Sequence, residues 1–84
     1  MNKLEYLVDL TEKVEHTKQL IKHVEASITE IDAAIDSLKD TDPLADTLSE
    51  EYVSLSRIST KLQLKLNELE RKQLIFDLNS LLAD

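Results

Sequence analysis

The chain has no glycine, no cysteine and no tryptophan, and only one proline in 84 residues. Each shortage excludes something. Without glycine there is no glycine-rich loop to cradle a phosphate. Without cysteine there is no disulfide staple and no thiol nucleophile, which is compatible with a cytoplasmic setting. Aromatic residues are limited to Tyr6, Tyr52 and Phe76, the sparse usage of helical rods rather than of ligand-binding folds. No run approaches the ~20 apolar residues of a membrane span. The opening Met1-Asn2-Lys3-Leu4-Glu5 mixes apolar and charged residues, so no secretory signal is read there. The expected location is the cytoplasm.

What is present is helical periodicity on both sides of Pro43. The first half carries Leu7, Leu10, Val14, Thr17, Ile21, Val24, Ile28, Ile31, Ile35 and Leu38. Their spacing alternates three and four, the a/d pattern of a coiled-coil seam with Thr17 as its one polar member. Asn2, followed three residues later by Glu5, is a capping-box-like start. The second half repeats the pattern less cleanly through Leu48, Tyr52, Leu55, Ser59, Leu62, Leu66, Leu69, Gln73, Phe76 and Ser80. A further stripe of Val53, Leu64 and Ile75, spaced by eleven, lies on another face.

Proline interrupts a helix because it lacks an N–H and restricts the residue before it. Two restarts are open. Asp42 can cap a turn with Pro43 at its first position, or Thr47 and Glu50 can form a capping box. The second is the fuller signal, so the sequence predicts one domain over 1–84 with helix 1 at about 2–40, a turn at 41–46 and helix 2 at about 47–83. The fold class is all-α, an antiparallel two-helix hairpin of coiled-coil type. Its register sets Leu10 near Phe76 and Val14 near Gln73. So thin a core seldom supplies more than ~3–5 kcal/mol, and dimerisation into a four-helix bundle is expected.

Charge is uneven. The chain carries ten bases and seventeen acids, net −7. Residues 25–51 hold nine of the acids and one base, Lys39, whereas residues 1–24 are neutral and residues 52–84 are net +1. A hairpin folded at Pro43 gathers the excess at its turn, in an acidic tip of Asp36, Asp40, Asp42, Asp46, Glu50 and Glu51. Direct nucleic-acid binding is not expected, since phosphate contacts need clustered lysine and arginine. A solvated tip that aids solubility is the simple reading.

Chemistry-bearing clusters are weak. Glu12, His16 and His23 share helical spacing but lie off the seam and form no HExxH motif, so no metal is predicted. Ser54, Ser56, Ser59 and Thr60 around Arg57 read as small polar residues that allow close helix approach or face water. The tip acids resemble general acid–base pairs only in type, because such pairs need a water-poor cleft to raise a pKa. No enzyme and no cofactor are expected.

Association surfaces remain. Near the open end, helix 2 reads Leu74, Ile75, Phe76, Leu78, Leu81 and Leu82, and Leu4 and Val8 lie on helix 1. Apolar residues spread around most of helix 2 there, more than one neighbouring helix can cover. The sequence therefore points to a protein-interaction module acting through its open end, in a homo- or hetero-oligomeric helical bundle. Two alternatives stand: an inhibitor or decoy whose acidic tip blocks a basic, perhaps nucleic-acid-binding, site on a target, and a small assembly or secretion chaperone that covers a partner helix.

Overall fold

A computed structural model describes residues 2–83. These residues form two helices and no strand: α1, Lys3–Ser37, and α2, Pro43–Ala83. They fold back on one another as a hairpin 65 Å long and 17 × 15 Å across.

Helix α1 begins as its capping residues require. Asn2 is extended, at φ −80° and ψ 170°, and its side chain accepts the Glu5 N–H at 2.8 Å. The Asn2 amide also donates to Glu5 Oε1 at 3.4 Å. One free helical N–H is thereby satisfied, and the pair is held from both sides.

The helix ends at Ser37, three residues short of the expected boundary. Leu38 turns out to φ −92° and ψ 154°, with its N–H on the Ile35 carbonyl at 3.1 Å. Ser37 Oγ donates to the Ala34 carbonyl at 2.8 Å, which satisfies another exposed helix-end acceptor.

The restart is at Pro43, four residues before the expected Thr47. Asp42 Oδ1 accepts the Leu44 N–H at 2.9 Å, and the Asp42 carbonyl accepts from Ala45 at 3.0 Å. Proline at the first helical position sacrifices no hydrogen bond, because that N–H has no intrahelical partner. Starting there adds a full turn of backbone bonds, so Thr47 and Glu50 lie inside the helix rather than at its cap.

That earlier restart displaces the register by about one turn. Phe76 packs on Tyr6, with ring centroids 5.5 Å apart and planes tilted 44°, rather than beside Leu10. Gln73 Nε2 donates to Thr11 Oγ1 at 3.4 Å, rather than lying beside Val14. Continued along the rod, this pairing sets Val14 level with Leu69, Ile21 with Leu62 and Ile35 with Leu48, so the seam residues of α1 meet seam residues of α2.

The core is Leu10, Val14, Ile21, Leu66 and Leu69, with Leu62 packed against it. Thr17 is buried among them, and its hydroxyl donates to the Lys13 carbonyl at 2.7 Å. All of these lie in the half of the rod nearer the open end. From Val24 to Leu38, and from Leu48 to Ser59, the seam is only half-buried, and Tyr52 is exposed.

The difference goes with the residues flanking the seam. In the open half these are mostly long, among them Lys13, Lys18, Leu20, Gln63, Lys65, Glu70 and Lys72, whose stems can cover apolar neighbours. In the tip half they include Ser27, Ala34, Ser49 and Ser56, which are too short to do so.

Candidate functional site

The open end combines a half-buried seam with uncovered outer faces. Leu7 and Phe76 are half-buried between the helices, Phe76 against Tyr6. The other open-end positions named from sequence, Leu4, Val8, Leu74, Ile75, Leu78, Leu81 and Leu82, are all exposed. Leu4 is 69 % exposed, Leu81 74 % and Leu82 85 %. Phe76 therefore belongs mainly to the seam, and its seven companions form the outward surface.

Helical phase divides that surface. Leu74 and Leu81 are seven residues apart and share one side of α2; Ile75 and Leu82 share the other, and Leu78 lies between them. On the Leu74 and Leu81 side, α1 contributes Leu4 and Val8, four residues apart. That side is apolar across both helices. On the side of Ile75 and Leu82, α1 contributes Tyr6, whose ring packs on Phe76.

Charge near this surface is local and balanced. Lys13 Nζ meets Asp9 Oδ2 at 2.9 Å. The hydrogen bond and the negative charge of Asp9 raise the Lys13 ammonium above its ordinary value of 10.5, against a small opposing effect of desolvation. Lys72 and Lys65 both approach Glu68 Oε1, at 3.3 and 3.8 Å. Among the described residues the ion pairs all join residues of one helix. Charge does not bind α1 to α2; the seam does.

The opposite end is acidic, although Leu44, Tyr52 and Val53 are exposed there as well. Asp36, Asp40, Asp46, Glu50 and Glu51 are exposed, and Asp42 is half-buried because its carboxylate caps α2. Asp46 lies in the first turn of α2, where the partial positive charge of the helix N-terminus favours an acid. Asp36 lies in the last turn of α1, where the dipole disfavours one, and no base stands in that turn. The tip acids are thus unequal: two support the fold, and one opposes it.

The remaining sequence features stay separate. Glu12, His16 and His23 are exposed on α1. No group of three metal-binding side chains converges among the described residues. Ser56 and Ser59 are half-buried, and the Thr60 hydroxyl donates to the Ser56 carbonyl at 3.1 Å. Two shallow depressions occur beside them, the first lined by Thr47, Glu50, Glu51, Ser54 and Leu55. The second is lined by Ser49, Glu50, Val53, Ser54 and Arg57. Both are walled by α2 alone.

Sequence reasoning overlooked Leu20. It is 38 % exposed and, like Ile58, flanks the seam rather than entering it. Its place one residue before Ile21 was the available signal.

No helix among the described residues is long and apolar enough to cross a membrane. No protein-family model matches the chain, and comparison with curated proteins and with solved structures finds no similar protein.

Proposed function

We propose that this chain is a non-enzymatic protein-interaction module of the cytoplasm, a coiled-coil hairpin that associates through its apolar open end and completes a four-helix bundle with partner helices. One observation carries the reading: seven large apolar side chains around residues 4–8 and 74–82 are exposed together. Each such side chain gains about 1.5–3 kcal/mol when moved from water into a full apolar contact. A contiguous apolar patch of this kind marks an association site. Helices suit it because the surface is itself two helices wide.

Replacing Leu78 and Leu82 together with serine tests this. Both side chains point to water, so the hairpin should stay helical by circular dichroism. Its oligomer or partner complex should be lost, with the same loss at low and high salt. Unchanged mass in solution and unchanged partner binding would count against the open end.

The acidic tip supports a second reading, a decoy that occupies a basic site on a target. Its exposed acids and its charge, net −8 over residues 25–51, favour such a contact. Salt separates the two readings. A tip-driven complex weakens steeply as ionic strength rises, and an apolar one does not.

A further inference from the structure

We propose that the occupant of the open end is a second copy of this chain, packed open end to open end about a two-fold axis, with the two acidic tips at opposite ends of the assembly. This rests on the open-end reading above and adds the partner and its orientation.

Three observations select the arrangement. The first is the match of surfaces. The side of the open end formed by Leu4, Val8, Leu74, Leu78 and Leu81 is apolar on both helices. A two-fold axis across the rod sets that patch against itself, so each copy supplies what the other needs. Sliding the second copy along the rod in the same antiparallel sense sets the leucines against the tip, where Asp36, Asp40, Asp46 and Glu50 are exposed. Burying leucine there would desolvate carboxylates without a counter-charge.

The second observation is charge. Two copies side by side and parallel would bring two tips together, each net −8 over residues 25–51. Screening reaches only about 8 Å at physiological salt, so adjacent tips repel while distant ones do not. The open halves are close to neutral, with residues 1–24 at zero and residues 52–84 at +1. Any antiparallel pairing keeps the tips apart, and among those pairings open-end contact is the one that also sets leucine against leucine.

The third is area. A stable interface takes about 800 Å² from each partner, roughly an eighth of this chain's 6582 Å² surface. If one side of the rod, roughly a third of its girth, makes the contact, the overlap needed is about 25 Å of a 65 Å length. An overlap of that length takes in roughly sixteen residues of α2 at 1.5 Å each. It covers the leucine patch completely and stops short of the acidic segment. The dimer then measures roughly 105 Å end to end, two lengths of 65 Å less the overlap.

The test joins light scattering to small-angle X-ray scattering on the full chain at about 100 µM, a concentration at which a dimer with a Kd of ~1 µM is almost fully formed. The expected mass is twice 9.6 kDa, and the expected maximum dimension is near 105 Å, as the overlap argument requires. Raising sodium chloride to 1 M should leave the mass unchanged. Leu74→Ser with Leu81→Ser should return the mass to 9.6 kDa with helicity retained. A dimer no longer than the 65 Å hairpin would overturn the proposal, since it requires full side-by-side overlap. That result needs no variant, so it decides the arrangement even if the double substitution unfolds the chain. A dimer that survives the double substitution with its fold intact would overturn it equally. A wild-type monomer at 9.6 kDa would also overturn it, while leaving the open end available to a different protein.

Discussion

The two halves of this hairpin share one seam pattern and differ in almost everything else. Near the open end, Leu10, Val14, Ile21, Leu66 and Leu69 are buried, the flanking side chains are long, and charge is balanced. Near the tip the corresponding isoleucines and leucines are half-buried, several flanking side chains are alanine or serine, and acids dominate. A heptad seam therefore locates the contact between helices but not its depth. Depth depends on the neighbours that close over the seam. The half that holds the rod together also carries the exposed leucines, so the association surface proposed above lies beside the buried core.

The largest effects should come from the core itself. Leu69 is 3 % exposed, and Leu69→Ala should lose about 2–5 kcal/mol of stability in urea melts. Leu48→Ala removes the same atoms from a half-buried site in the tip half and should lose clearly less. Equal losses would erase the distinction between the halves.

Next in size is the aromatic contact that bridges the helices at the open end. Phe76→Leu keeps an apolar seam residue but removes the ring pairing with Tyr6, a pairing worth about 0.5–1.5 kcal/mol beyond area. The same substitution made in a Tyr6→Phe background should cost as much as in the wild type, because the ring and not the hydroxyl makes the contact. A double-mutant cycle checks this.

Smaller effects belong to the tip, where the two helix ends oppose one another. Asp36→Asn should stabilise the hairpin and Asp46→Asn should destabilise it, each by about 0.3–1 kcal/mol at low salt. Both shifts should shrink in 0.5 M salt. Shifts of one sign would mean that general repulsion among the acids outweighs the helix dipoles.

The smallest concerns Lys13. Its folded pKa is raised by Asp9, so the pair's contribution is fully present below the ordinary value of 10.5 and is lost as pH rises through the raised folded value. Thermal melts of wild type and Asp9→Asn should therefore converge in strong alkali and differ slightly at neutral pH. A difference that persists undiminished in strong alkali would contradict the sign.

Much of this shape was legible in the residues. Pro43 marked the break, Asn2 and Glu5 the start, and the three–four spacing both seams. The register was not, because two restarts competed and the choice between them was made by local hydrogen bonds. Thr47 and Glu50 offered two capping bonds; Pro43 offered an extra turn of helix without losing any, and Asp42 supplied the cap. The contacts across the helices are Phe76 with Tyr6 and Gln73 with Thr11, about one turn from the expected pairing. The half-burial of Ile28 and Ile35 was likewise missed, because an a/d count ignores Ser27 and Ala34 beside them. The exposure of Leu74, Leu78, Leu81 and Leu82 was readable, since apolar residues on several faces of one helix exceed what one neighbour covers.

The most direct test of the account is residue-resolved amide hydrogen exchange at two protein concentrations, for example 10 and 300 µM. Protection should be strongest at residues 10–21 and 62–69 in both samples. At the higher concentration, protection should rise at residues 4–11 and 74–82 and stay unchanged at residues 36–51. A concentration-dependent rise at the tip, with none at the open end, would contradict the claim that the hairpin associates through its leucine-rich open end.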